Sequence, residues 1–306
     1  MLLFWLLVTV QTMVSDLLVN RCNQISVPMI QQATVGVGII GKEGNQAKMS
    51  SDFAIPKFRM LKRLLAVHGR YSFKRAANFI QYYIYMDLAI ALPQIIYAFY
   101  TMFSGQSLIE EMVAIFSTLF FMQLNPLSFA LFEKDISEKY LEDAAHGPKL
   151  YAQLRKENIY NPYTFVKWIG GGVLHMIIVV FICLYATENN VLSNGKGDDF
   201  LLKGVLVTSC AFLTVNLKCY IECEYVTIYH HIAMIFSLGS FYIFNLVYAT
   251  ADTSAMYFVW FEAAQSSLFW LVHVMCVVST LGIDLALHTF KQWLFPDYYQ
   301  QLKFQS

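Results

Sequence analysis

A carboxylate inside a long apolar stretch is the first residue of this chain whose chemistry calls for an explanation. Asp87 lies about a dozen residues into a stretch that begins near residue 76 and also contains Gln81 and Gln94. An ionised carboxylate is costly in hydrocarbon, so such a residue usually faces a cavity or a partner. The alternative is a protonated or hydrogen-bonded acid within helix packing. Asp87 is therefore a candidate for contact with a polar cargo.

The next apolar stretch repeats this combination of polar residues with a proline. Pro93 interrupts the first stretch, and Pro126 follows Gln123 and Asn125 in the second. Because proline cannot donate a backbone hydrogen bond, it loosens a helix at that point. Two adjacent spans with polar residues and a proline near the membrane midplane predict a polar groove between them. The candidate lining residues are Gln81, Asp87, Gln123 and Asn125.

Two short patterns suggest ligands without completing a site. Cys219 and Cys223 lie four residues apart, and His230 and His231 follow, which makes a soft-metal site conceivable. No carboxylate is spaced in the sequence to complete such a site, so we predict no bound metal. The string from Gly36 to Gly41 matches G-x-G-x-x-G, but the residues after it are typical of a loop rather than a helix. Nucleotide binding there is not favoured.

The elements that position these residues are membrane spans. The chain is 57% hydrophobic and only 14% charged, so lipid must cover much of its surface. Its net charge is zero, which implies no nucleic-acid partner. Six apolar segments are long enough to span a bilayer. They lie at about residues 76–103, 109–132, 164–186, 200–222, 226–249 and 257–283.

Basic residues predict the orientation of these spans. The last part of the region at 27–75 contains seven Lys and Arg residues, spread from Lys57 to Arg75. The loop at about 133–163 is also basic. The opposite loops are nearly free of positive charge, since the loop at 187–199 contains only Lys196. We therefore expect residues 27–75 and the loop at 133–163 to be cytosolic. We interpret the basic residues before the first span as a solvent-exposed face next to the membrane.

The first residues of the chain fit no single role. Residues 1–26 begin with an apolar stretch that has no basic segment before it and no clear cleavage site, so they make a poor signal peptide. A short signal anchor, a buried soluble strand and non-native sequence are all compatible with it. The sequence thus divides into an apolar segment (1–26), a polar region (27–75), a six-span region (76–290) and a cytosolic tail (291–306).

Several short motifs, in this order along the chain, resemble the C-terminal part of the phospholipid-transporting P-type ATPases. Those similar to the end of the phosphorylation domain are Met29-Ile30-Gln31, Gly36-Val37-Gly38-Ile39, Gly41-Lys42-Glu43-Gly44, Gln46-Ala47 and Ser51-Asp52-Phe53. Those similar to the stalk, the membrane helices and their loops are Phe58-Arg59, Leu64-Leu65, Val67-His68-Gly69-Arg70-Tyr71, Phe103-Ser104-Gly105-Gln106, Phe132-Glu133-Lys134-Asp135-Ile136-Ser137, Pro148-Lys149-Leu150-Tyr151, Gly239-Ser240 and Phe295-Pro296.

The resemblance implies an all-α integral membrane fold. Six transmembrane helices, corresponding to family helices five to ten, would follow a short α/β remnant of the phosphorylation domain. It also implies ATP-driven translocation of a phospholipid along a membrane groove, with ATP and Mg²⁺ as cofactors of the complete family protein. The expected partner is a two-span glycosylated subunit. The expected location is the plasma membrane or Golgi and endosomal membranes.

Departures from the family pattern put activity of this chain in doubt. Asp-Lys-Thr-Gly-Thr, which carries the phosphorylated aspartate, does not occur in these residues. The carboxylates that hold Mg²⁺ in the family would fall on Cys22 and Ser26. These neutral side chains cannot supply the hard oxygen ligands that Mg²⁺ prefers. We therefore expect no catalytic residue in this chain and no ATPase activity from it alone, as from a fragment or a degenerate paralogue.

The groove also departs from the family. Where the family commonly has Tyr-Lys-Asn, this chain has Tyr85-Met86-Asp87, so the resemblance adds Tyr85 and Met86 to the candidate lipid path. A family proline position holds Asn125, with Pro126 next. Two other functions remain open: a non-transporting interaction protein that binds the flippase subunit, and a seven-span receptor that counts the N-terminal apolar segment.

Overall fold

The computed structural model of the protein describes residues 26–40, 46–143, 145–157, 161–188, 200–251, 254 and 256–294. The N-terminal apolar segment up to residue 25, the loop residues 189–199 and the tail from residue 295 lie outside the described residues. The expectations for those segments, including Cys22 and the motif Phe295-Pro296, therefore remain sequence predictions.

Helices dominate the described residues. In chain order the elements are α1 (Ser26–Gln32), β1 (Val37–Ile39), α2 (Gln46–Ser50), β2 (Phe53–Ile55), α3 (Met60–Tyr100), α4 (Glu111–Phe132), α5 (Glu138–Glu142), α6 (Gly147–Glu157), α7 (Pro162–Thr187), α8 (Phe200–Glu222), α9 (Ile228–Tyr248), α10 (Val259–Gln265) and α11 (Ser267–Leu294).

The chain forms two compact units, of which the smaller comprises Met1–Lys74 and Ile136–Tyr160. Within it, β1 and β2 pair in parallel, with Val37 opposite Phe53 and Ile39 opposite Ile55. The turn before β1 is held by the Gly36 N–H, which donates to Asp52 Oδ2 over 2.8 Å. This sheet is the small α/β segment that the resemblance implies.

Basic residues of α3 hold the loop of α5 and α6 within the same unit. The buried Arg70 donates from Nη1 to the Leu150 carbonyl over 2.8 Å, and Lys62 donates to the Glu142 carbonyl over 2.9 Å. Arg63 pairs with Glu138 at 2.7 Å. The basic run before the first span is thus more than the solvated face that the sequence suggested, because three of its members bind the loop at 136–160.

The larger unit, Arg75–Asp135 with Asn161–Ser306, contains the membrane-spanning parts of the helices. Six described helices, α3, α4, α7, α8, α9 and α11, are long and apolar enough to cross a bilayer. This confirms the predicted all-α membrane bundle. α8 is its most buried span, since 67% of its apolar window lies inside the protein, against 22–39% for the other five.

The last predicted span is displaced along the chain. The continuous apolar composition of residues 257–283 predicted one helix, but the structure has the short α10 followed by α11, which begins at Ser267. Phe258 has a φ of 60°, in the left-handed region, and its N–H donates to the Ala249 carbonyl over 3.0 Å. This turn separates α9 from α10, and hydropathy alone could not locate it.

Candidate functional site

A group of ionisable side chains lies within the bundle, between α7, α8 and α11. Lys218 of α8 places its Nζ 2.6 Å from Asp284 Oδ2 of α11 and 2.7 Å from Glu222 Oε1, one turn further along α8. Only 11% of the Lys218 side chain is exposed. Charges at membrane depth are tolerated when they are paired in this way.

Tyr85 of α3 joins this group through a histidine. Its hydroxyl lies 2.9 Å from His175 Nδ1 on α7, and His175 Nε2 lies 3.5 Å from Asp284 Oδ2. The tyrosine, the histidine, the lysine and the two carboxylates are called the charged cluster below. They form a chain of polar contacts across four spans, which fixes the position of the Tyr85 hydroxyl.

Aromatic and glycine contacts complete the setting of Tyr85. Trp168 of α7 meets its ring edge-on at 6.3 Å, and the Lys218 ammonium lies 5.4 Å from the centroid of the same tryptophan. A Cβ atom at Gly172 would lie 3.1 Å from a ring carbon of Tyr85. Gly172 is the last of three consecutive glycines in α7, and it is the one that permits the close helix contact. Gly170 and Gly171 would meet nothing within 4 Å.

A second polar group, the asparagine cluster, links α4, α8 and α9. Asn125 donates from Nδ2 to the Asn216 side-chain carbonyl, and the Ser237 hydroxyl lies 3.0 Å from that same oxygen. Ser237 also donates to the Phe121 carbonyl over 2.6 Å. All three polar side chains are buried. Asn125 thus has hydrogen-bond partners within the protein.

The helix that carries Asn125 departs from regular α geometry just before its proline. Residues Ser117–Phe121 form a π-helical turn, and Pro126 follows five residues later. The Gln123 amide donates to the Thr118 carbonyl over 2.9 Å and to the Tyr83 hydroxyl over 3.0 Å. Side chains thus satisfy backbone groups that the irregular turn releases, as a broken helix in a membrane requires.

The six predicted groove residues do not share one surface. Gln81, Tyr85 and Met86 are buried in the bundle, at 1–2% exposure. Asp87, the next residue along α3, is exposed, on the same helix face as Ile80 and Ile95. Among the residues that the structure describes, Asp87 makes no hydrogen bond or ion pair. Gln123 contacts the Tyr83 hydroxyl, and Asn125 belongs to the asparagine cluster. Asp87 is thus the exposed polar member of the set.

Sequence reasoning missed the two residues at the centre of the charged cluster. Lys218 and Asp284 are ionisable groups in membrane-spanning helices, which is the same signal that singled out Asp87. Asp284 was overlooked because it lies one residue beyond the predicted end of the last span. The structure also gives His175 and Glu222 specific partners, Asp284 and Lys218 respectively.

The G-x-G-x-x-G string does not have the geometry of a nucleotide site in the residues that the structure describes. Gly38 of the G-x-G-x-x-G string lies within β1 rather than in a turn that opens a helix, and Gly41 lies outside the described residues. Asp52, the carboxylate beside this sheet, accepts a hydrogen bond from the Gly36 backbone. The donor set there fits a turn rather than a phosphate or cation site.

Comparison with known proteins places the chain in a family. A family model described as "Phospholipid-translocating P-type ATPase C-terminal" matches residues 48–297. Phospholipid-transporting ATPase 2 of Arabidopsis thaliana is 32% identical over 267 residues, which cover 87% of this chain and 23% of that protein. Phospholipid-transporting ATPase IH of Homo sapiens is 30% identical over 293 residues, covering 94% of this chain and 25% of that protein. The chain spans about a quarter of the length of these curated relatives.

Proposed function

The chain belongs to the family of phospholipid-translocating P-type ATPases, and from this premise we propose that it is the membrane-domain part of an ATP-driven phospholipid flippase. The observation that carries the proposal is the family match over residues 48–297, which includes all six spanning helices. ATP and Mg²⁺ belong to the complete family protein. This chain supplies the lipid path and not the phosphoryl transfer, since that step needs an acceptor and a positioned metal.

The proposed lipid path follows α3 and α4 at the level of Asp87 and Gln123. Asp87 is exposed at membrane depth, so a lipid headgroup passing along α3 meets this carboxylate before any buried polar group. Gln123 is half-buried and joins α4 to α3 through the Tyr83 hydroxyl. Gln81, Tyr85, Met86 and Asn125 lie inside the bundle and support these two surfaces.

This path is unfavourable for an anionic headgroup. Position 86 carries an uncharged thioether where the family commonly has a lysine, and Asp87 adds a carboxylate that, when ionised, repels a lipid phosphate or a serine carboxylate. One charge-assisted hydrogen bond contributes about 1.5–3 kcal/mol. Its loss in the transition state lowers the transport rate by roughly ten- to hundred-fold. A neutral or zwitterionic phospholipid is therefore the proposed cargo.

A chimera tests this proposal. Residues 48–297 replace the matching region of a complete family member, and ATP-dependent uptake of labelled phosphatidylcholine, phosphatidylethanolamine and phosphatidylserine is measured in cells. We expect transport of the first two lipids, weak transport of phosphatidylserine, and recovery of phosphatidylserine uptake in the Met86→Lys/Asp87→Asn variant. A chimera without the host's phosphorylated aspartate is the control and should move no lipid.

The outcome that contradicts the flippase proposal is a chimera that reaches the membrane and forms the host's acyl phosphate but transports none of the three lipids. That result would favour the interaction protein or the receptor. The two-span glycosylated subunit is the proposed partner, and the plasma membrane or Golgi and endosomal membranes are the proposed location. Co-purification of the subunit with the tagged chain tests the proposed partner.

A further inference from the structure

Three side chains with metal-binding atoms meet at one end of the bundle, beside Glu222 of the charged cluster. Glu133 directly follows α4, Cys223 directly follows α8, and His230 lies in the first turn of α9. One ligand atom from each lies within 4.8 Å of the other two. Glu133 and His230 are 7% and 3% exposed, and Cys223 is half-buried. These three residues are called the interfacial cluster below.

The imidazole of His230 is held in the orientation that a metal ligand needs. Its Nδ1 lies 2.6 Å from Thr227 Oγ1 and accepts a hydrogen bond from the Thr227 backbone N–H over 3.3 Å. These two contacts hold Nδ1 against Thr227, so Nε2 faces away from it. Zinc binding at Nε2 would move the imidazole hydrogen to Nδ1, where the threonine hydroxyl accepts it. An outer hydrogen bond of this kind fixes the ring of most metal-binding histidines.

The other nitrogen of His230 is buried without a hydrogen bond. Among the described residues, Nε2 has no hydrogen-bond partner, and its ion-pair contact is Glu133 Oε2 at 3.8 Å. That distance is too long for a hydrogen bond. It does suit two atoms that coordinate one ion, because zinc bonds to nitrogen and oxygen are about 2.0–2.2 Å long.

The carboxylate of Glu133 is also fixed by its surroundings. Its Oε1 accepts hydrogen bonds from the backbone N–H groups of Glu224, over 2.7 Å, and Tyr225, over 3.2 Å. The Arg75 Nε donates to the Glu133 backbone carbonyl over 2.6 Å. These contacts place Oε2 on the side of His230. The two ligands are therefore positioned before any ion binds.

The charges of the cluster favour a divalent cation. A thiolate and a carboxylate together carry two negative charges, and neutral imidazole adds none. Mixed sulfur, nitrogen and oxygen donors suit Zn²⁺, whereas Mg²⁺ and Ca²⁺ prefer oxygen alone. Three protein ligands leave a fourth position for water. The cluster lies at the ends of three spans, so the ion need not enter hydrocarbon.

We propose that Glu133, Cys223 and His230 bind a zinc ion that ties together the ends of α4 and α8 and the start of α9. The sequence predicted no metal because no carboxylate was spaced near Cys219, Cys223, His230 and His231. Folding supplies that carboxylate from about ninety residues earlier in the chain. Of the four residues in that pattern, Cys223 and His230 belong to the cluster, and His231 instead contacts the Tyr220 hydroxyl at 2.9 Å.

A second group of three thiols, Cys183, Cys210 and Cys276, is the rival metal site. Its sulfur atoms also lie within 4.8 Å of one another, but all three residues are fully buried inside the spans. Three thiolates there would bring three negative charges into the bundle interior, against two for a divalent ion. Buried charge of this kind is costly, so we assign zinc to the interfacial cluster.

Cobalt binding tests the proposal on the full chain, purified in detergent micelles and freed of metal. Titration with Co²⁺ should give one equivalent bound, with a near-ultraviolet sulfur-to-cobalt band and the visible bands of a tetrahedral ion. Cys223→Ser should abolish the sulfur band, and His230→Gln should weaken binding at least tenfold. The matched controls, Cys276→Ser and His231→Gln, should bind as the wild type does.

A second measurement uses the wild-type chain, so its result does not depend on whether a variant folds. Zn²⁺ should protect Cys223 of the wild-type chain from alkylation, as read by mass spectrometry of the peptide that contains it. Absence of cobalt binding, binding that survives Cys223→Ser but is lost in Cys276→Ser, or equal alkylation of Cys223 with and without Zn²⁺ would each overturn the proposal. Lipid transport does not enter these readouts, so they are independent of the proposed function.

Discussion

At the scale of single residues, the buried charge of Lys218 depends on its carboxylate partners. It is a buried ammonium with two carboxylates within 2.7 Å, and one of these, Asp284, also contacts His175. Removing one member of a buried ion pair leaves its partners uncompensated in a medium of low polarity, which costs about 3–5 kcal/mol. The pairing therefore matters more through the penalty of breaking it than through its net contribution to stability.

We predict that Lys218→Met lowers the thermal unfolding midpoint of the detergent-purified chain by several degrees, because Asp284 and Glu222 are left facing each other. The matched control is Lys167→Met, since Lys167 lies on the exposed surface of α7. A second variant, Lys218→Met with Asp284→Leu, should recover part of the loss. Equal midpoints for the wild type, Lys218→Met and Lys167→Met would show that the charged cluster does not stabilise the bundle.

At the scale of elements, α8 packs closely enough that one glycine has no room for a side chain. A Cβ atom at Gly204 would lie 2.1 Å from the carbonyl oxygen of Leu108, in the segment that leads into α4. Because the obstacle is backbone rather than a flexible side chain, one of the two segments must shift. α8 is the central helix of the bundle, so such a shift disturbs several neighbours.

Gly204→Ala should therefore destabilise the protein, by about 1–3 kcal/mol as for other overpacked cores. Gly239→Ala on α9 is the matched control, since a Cβ there would meet nothing within 4 Å. That control should be neutral or slightly stabilising, because alanine favours helix by up to about 1 kcal/mol over glycine. The thermal unfolding midpoints of the two variants are compared with that of the wild type. Equal changes at Gly204 and Gly239 would contradict the packing argument.

At the scale of the whole molecule, the distribution of basic residues predicts the orientation in the membrane. The basic residues predict that the loop containing Pro148 is cytosolic and that the turns after α3 and α9 face the opposite side. We expect single cysteines introduced at Ser104 and Thr250, both exposed, to react with an impermeant thiol reagent outside intact cells. Thr250 is preferred to the neighbouring Ser254, which is 9% exposed.

A cysteine at the exposed Pro148 should be protected in the same cells and react after permeabilisation. The native cysteines are replaced beforehand so that each signal has one source. Labelling of Pro148→Cys in intact cells, with protection of Ser104→Cys, would reverse the assigned orientation. It would also place the interfacial cluster on the opposite side of the membrane.

The sequence by itself determined the class of protein, the family, and the six spans found in the part of the chain that the structure describes. Hydropathy is a property of single segments, and the family motifs are short, so neither needed knowledge of contacts. The sequence also identified ionisable residues at membrane depth as special, although it selected Asp87 and passed over Lys218 and Asp284.

Only the tertiary structure decided which polar residues meet. Lys218 and Asp284 lie 66 residues apart, Tyr85 and His175 lie 90 apart, and Glu133 reaches the loop after α8 across about 90 residues. Side-chain partners are set by helix packing, which brings together positions whose separation along the chain has no fixed period. For the same reason Met86 and Asp87, neighbours in sequence, lie on the buried and exposed faces of α3, because consecutive residues of a helix differ by about 100° around its axis.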